Sequence, residues 1–82
     1  MIHPIDVQID DEAGAGYVTY AKGEVAETVE VWEEGTVAAD VDASGNIIGI
    51  EVLGFDEDVL SRARAFASEN DLSFPARLGS TA

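Results

Sequence analysis

The residues from Asp40 to Glu51 match the ligand spacing of a calcium-binding loop. Oxygen donors fall at Asp40, Asp42 and Ser44, Gly45 suits the sharp turn, and Glu51 closes the pattern. The chemistry on offer is coordination of a hard cation. Such a loop needs a helix on either side, because its backbone carbonyl and bidentate glutamate depend on that frame. Here the preceding residues, from Val29 to Val37, read as strand broken at Gly35, and Val52-Leu53 meets Gly54 at once. The same segment also alternates apolar residues on either side of Ser44-Gly45, which is a β-hairpin pattern. The hairpin is the stronger reading. It leaves Asp40 and Asp42 as weak candidates for incidental metal binding.

Asp10-Asp11-Glu12 is the densest acidic run. Asp10 and Asp11 are further weak metal candidates, but charge runs are usually solvated turns. His3 is the only histidine and there is no cysteine, so a zinc site would rest on carboxylates alone. The serines lack a partnering base apart from His3. Gly14 and Gly16 are not followed by a phosphate-loop lysine or a full dinucleotide fingerprint. We therefore expect no catalytic residue, no cofactor and no enzymatic activity. Trp32 is the more informative side chain. In an extended strand it lies opposite Val29 and Val31 and shares a face with Thr28 and Glu30. An exposed aromatic ringed by polar groups marks an interface, which makes Trp32, Glu30 and Thr28 the candidate partner-binding residues. Burial of Trp32 under the N-terminal strand or the tail is the competing reading.

The elements that must position these residues follow from periodicity. Ile5–Ile9, Ala15–Ala21, Val25–Glu33, Thr36–Asp42 and Asn46–Leu53 alternate with period two between glycine-rich or acidic turns. A Ser44-Gly45 loop, or a four-residue loop from Ala43 to Asn46 of the same parity, pairs Val41 with Ile48, Ala39 with Ile50 and Val37 with Val52, all on one face. A three-residue loop shifts the pairing by one and sets Val41 against Ile47, so it is disfavoured. One helix follows. Asp56 is its N-cap, Phe55 and Leu60 take the staple positions, and Val59, Leu60, Ala63, Phe66 and Ala67 form the apolar stripe. The expectation is α+β: a five-stranded antiparallel meander with one C-terminal helix packed on one face. Residues 1–74 form the single domain and 75–82 a flexible tail.

Composition limits the partners. Eighty-two residues carry seventeen acids and four bases, a net charge of −13. Such a surface repels phosphate, which argues against nucleic acid and against an anionic membrane. No apolar run approaches the ~20 residues that span a bilayer, and the N-terminus lacks signal-peptide character, so a cytoplasmic protein is expected. A core this small favours self-association through an open sheet edge or face, and a homodimer is one expectation.

Tyr17-Val18, Val25-Ala-Glu-Thr-Val-Glu-Val31, Asp40-Val-Asp-Ala-Ser-Gly45 and Ile48-Gly-Ile-Glu-Val-Leu53, with Asp11-Glu-Ala13 before them, resemble a family of small bacterial and archaeal domains. This is domain-of-unknown-function family 2283. The likeness covers residues 5–55, with departures at Gly16, where leucine is usual, and at Thr19, where arginine is common. The resemblance implies a small antiparallel sheet and assigns no reaction. For some members it implies an antitoxin role, an acidic antidote to a basic toxin. The expected function is an acidic, non-enzymatic interaction module with a basic protein partner. The alternatives are a calcium- or small-ligand-binding domain, and a salt-adapted protein whose acids have no partner.

Overall fold

The computed structural model describes residues 1–76 and 78. Its elements are β1 (Asp6–Asp10), β2 (Ala15–Thr19), β3 (Glu27–Trp32), β4 (Val37–Val41), β5 (Ile47–Leu53) and α1 (Glu57–Glu69), with a short 3-10 turn at Glu33–Gly35. All five strands form one antiparallel sheet with α1 packed over β4 and β5. The α+β class, the strand count and the C-terminal helix are as the sequence indicates.

The strand order differs from a simple meander. It runs β1-β2-β5-β4-β3, so β5 returns between β2 and β4 while β3 goes to the far edge. The physical reason lies in what each strand carries. In a meander β5, the most aliphatic strand, would sit at an edge. In the centre its Ile50 and Val52 are fully buried, and the acid-bearing β3 takes the edge. The seven residues 20–26 bridge β2 to β3 across the sheet end. They reach roughly 23 Å when extended, ample for three strand spacings of about 4.8 Å.

The β4–β5 hairpin forms in place of a calcium loop. Val37 pairs with Val52 and Ala39 with Ile50, as the alternation requires. Nearer the turn the expectation is corrected. Val41 pairs with Ile47, and the register shifts between Asp40 and Val41. The loop is the three-residue one: the Gly45 N–H donates to the Asp42 carbonyl at 3.0 Å and the Asp42 N–H to the Asn46 carbonyl at 2.9 Å. Gly45 has φ +86°, the left-handed conformation this loop demands. A one-residue bulge then restores the register, so the turn geometry and the aliphatic pairing are both satisfied.

Val18, Val37, Ile50 and Val52 form the centre of the core, with Val59, Leu60, Ala63 and Ala67 of α1 above them. Burying each large aliphatic side chain contributes about 1.5–3 kcal/mol, which is why this face sets the register. Asp56 occupies the N-cap position, but its side chain makes no capping hydrogen bond. The helix ends in a Schellman motif: Leu72 N–H to Ala67 O at 2.8 Å, Asp71 N–H to Ser68 O at 3.2 Å, with Asp71 at φ +60°. Leu72 is thereby turned into the core. The chain beyond 74 does not simply leave the domain. Leu78 is buried in the core cluster, while residues 77 and 79–82 of the expected tail lie outside the described residues.

Candidate functional site

Alternation along the strands gives the sheet a covered face and an open one. Two lateral rows cross the open face. One is Gln8–Tyr17–Glu51–Ala38–Glu30 and the other is Asp6–Thr19–Gly49–Asp40–Thr28, each residue paired with the next. Asp10 extends the surface beside Ala15. The open face therefore carries Asp6, Asp10, Glu30, Asp40 and Glu51 and, among the described residues, no lysine or arginine. Arg62 and Arg64 are on α1, behind the sheet, and Lys22 is in the β2–β3 connection.

A hydrogen-bonded chain runs through the middle of this surface. The Tyr17 hydroxyl donates to Asp40 Oδ2 at 2.6 Å, and the Thr28 hydroxyl donates to Asp40 Oδ1 at 2.6 Å. Tyr17 is on β2 and Asp40 on β4, so the phenol must pass over β5. It does so at Gly49, where any β-carbon would overlap the Tyr17 ring and hydroxyl. The mid-strand glycine is thus a crossing point between backbone and phenol. Partial burial, the bond to Asp40 and the charges of Asp40 and Glu51 together push the Tyr17 phenol well above its ordinary pKa. It remains a neutral donor at any physiological pH. Beside it, Gln8, Asp10, Tyr17 and Glu51 border an open groove of about 400 Å³.

The sequence-derived candidates separate here. Thr28 and Glu30 lie on the open face as expected. Trp32 does not join them, and this corrects its placement. The register shifts between Glu30 and Trp32, so Trp32 pairs with the fully buried Val37. Val31 and Trp32 both pack against the core, and the Arg62 guanidinium lies 5.2 Å from the Trp32 ring centroid. A bulge turns two consecutive side chains toward the helix side, which strict alternation cannot anticipate.

Asp40 and Asp42 hold separate hydrogen-bond sets. Asp40 accepts from Tyr17 and Thr28. Asp42 Oδ1 accepts the Ser44 and Asn46 N–H groups, each at 2.9 Å, and this holds the Asp42 carboxyl below its usual pKa. Asp10 Oδ1 accepts the Ala13 N–H at 3.1 Å, while Asp11 stays in the exposed turn. Among the described residues, no three His, Cys, Asp or Glu side chains converge as metal ligands would. No described helix is long and apolar enough to cross a membrane. Tyr17 and Gly49 were missed as site residues by pattern reading; a glycine inside an aliphatic strand was the available signal.

The sequence matches the family described as Protein of unknown function (DUF2283) over residues 6–55. The chain belongs to this family. The matched segment contains all five strands and stops short of α1. No curated protein and no solved structure matches the chain. The residues on which the family resemblance rests include Tyr17, Thr28, Asp40, Gly49 and Glu51, and the fold brings these together on the open face.

Proposed function

We propose that this family member is a non-enzymatic interaction module whose open sheet face receives a cationic protein partner. One observation carries the reading: the face not covered by α1 presents acids from β1, β3, β4 and β5 and, among the described residues, no base. Like charges gathered on one surface cost folding free energy through mutual repulsion, and a basic partner relieves that cost on docking. Tyr17 and Asp40 supply a rigid polar centre, since each is held by the other. An antitoxin bound to a basic toxin is one form that this interaction takes, and the charge supports it without naming the partner.

Affinity capture from a native lysate tests the proposal. The full-length protein is compared with a Glu30→Gln/Glu51→Gln variant and with a helix-side control, Glu57→Gln/Asp58→Asn, of equal charge. Recovery of a basic protein by the wild type and by the control, with loss in the open-face variant, is the expected result. Equal loss in both variants would show that net charge alone is recognised, and equal recovery by all three that neither pair of acids matters; either result would sink the proposal.

A further inference from the structure

The two edges of the sheet are not equivalent. At β3 the ladder is interrupted by the bulge between Glu30 and Trp32 and runs into the 3-10 turn, devices that discourage another strand from pairing. At β1 the ladder against β2 is regular from Asp6 to Asp10, with no register shift. Every residue of β1 is exposed. Ile5, Val7 and Ile9 are 55, 40 and 38 % exposed. Val7 and Ile9 pair with Val18 and Gly16, which places them on the covered side of the sheet, away from β4 and β5, where α1 packs. Asp6, Gln8 and Asp10 point to the open face. Among the described residues, the edge therefore offers unpaired backbone groups, an apolar row on one side and a carboxylate row on the other.

We propose that the β1 edge takes up an extended cationic segment of another protein as an added strand. Its apolar side chains would lie beside Val7 and Ile9, and its lysines or arginines beside Asp6 and Asp10. The proposal rests on the cationic-partner reading above and specifies how that partner is held. Strand addition draws affinity from main-chain hydrogen bonds and specificity from alternate side chains. A second copy of this chain fits poorly. Antiparallel self-pairing centred on Gln8 sets Asp6 opposite Asp10 of the other copy, between two molecules of charge −13. A basic segment with apolar residues at alternate positions meets both rows at once.

The test uses the full chain and three short synthetic peptides of equal composition: alternating Lys–Val, the same peptide N-methylated along one edge, and a block of Lys followed by a block of Val. Binding is followed by amide chemical shifts and hydrogen exchange. The alternating peptide is expected to bind, to slow exchange at β1 amides, and to lose at least about tenfold in affinity on N-methylation, the equivalent of a few lost backbone hydrogen bonds. Equal binding by all three, with shifts at Tyr17 and Glu51 but unchanged exchange at β1, would overturn the edge proposal while leaving the face reading intact. Protection of β1 amides without peptide, rising with protein concentration, would overturn it in favour of a second copy. No binding by any peptide also overturns it, and the lysate capture then decides the face reading separately.

Discussion

The Tyr17 phenol occupies the space in which a side chain at Gly49 would stand. The open face is organised around this overlap, because only a bare backbone at residue 49 lets a side chain of β2 reach Asp40 on β4. Gly49→Ala should therefore displace the phenol and break its bond to Asp40, destabilising the domain by about 1–3 kcal/mol, the usual range for overpacking. In a Tyr17→Ala background the same substitution should cost much less. Chemical denaturation of both single variants and the double variant gives the coupling; additive effects would show that the crossing is not what glycine serves.

Tyr20 provides a second, independent prediction. Its hydroxyl donates to the Ser73 carbonyl at 2.9 Å, tying β2 to the chain that follows the helix. Burial pushes its pKa up from 10.0 to about 12. A pKa raised in the folded state means that the unfolded chain releases its proton first as pH rises. The contribution is whole below pH 10 and is lost progressively between about pH 10 and 12. Tyr17 acts in the same direction. Denaturation curves from neutral to alkaline pH should show falling stability for the wild type, with a shallower fall for Tyr20→Phe. A parallel fall in both would refute the assignment.

Asp42 behaves with the opposite sign. Its carboxylate accepts the Ser44 and Asn46 N–H groups and its pKa is lowered from 3.8. The turn contribution is present above that value and is lost as pH falls through the lower folded-state pKa. Asp42→Ala should lower the melting temperature at neutral pH more than Asp42→Asn, which keeps an acceptor. The gap between wild type and Asp42→Ala should close in strong acid. Because these oxygens already serve the turn, a calorimetric titration with calcium should give no stoichiometric heat.

The outcome at Trp32 shows how far the sequence could be read. Period-two alternation locates β3 and places Thr28 and Glu30 correctly, because nothing interrupts the strand before Glu30. It fails two residues later, where the bulge depends on Val37 opposite and on α1 above. The same limit applies at Ile48, where local turn chemistry and long-range pairing disagree and the strand absorbs the difference. The helix is legible because its stripe and end signals are local. The β2–β5 pairing is not, since it joins segments about thirty residues apart and is decided by which strand most needs two neighbours. Tyr17, Asp40 and Gly49 come together only through that pairing, so the centre of the open face is hidden from any reading of single strands.

Arg62 over Trp32 yields a spectroscopic prediction. Arg62→Ala should remove a contact worth about 0.5–1 kcal/mol at such a half-exposed site and shift the tryptophan emission to the red as water reaches the ring. Arg62→Lys should keep part of the stability. Unchanged emission in Arg62→Ala would place the ring's environment under the control of Val31 and the core alone.

The final prediction concerns salt. Glu51 and Glu30 flank Ala38 in one row, two strand spacings or about 9.5 Å apart. At that distance, even in water, each such pair repels by ~0.4 kcal/mol before screening. Only two ion pairs are formed among the described residues, Met1 with Asp71 and Arg64 with Glu57, so most acids have no internal compensation. The Debye length falls from about 10 Å at 0.1 M salt to about 3 Å at 1 M, which should suppress repulsion across the rows. Thermal melts should therefore rise by several degrees over that range, since about 1 kcal/mol moves the midpoint of a domain this size by roughly 4–8 °C. Glu51→Gln should raise the low-salt midpoint and flatten the dependence, whereas Glu57→Gln, which breaks an ion pair on the helix, should not. A chain that is unfolded at 0.1 M salt and folds only near molar salt would mean that its acids are an adaptation to concentrated salt. The open face would then need no partner to explain its charge.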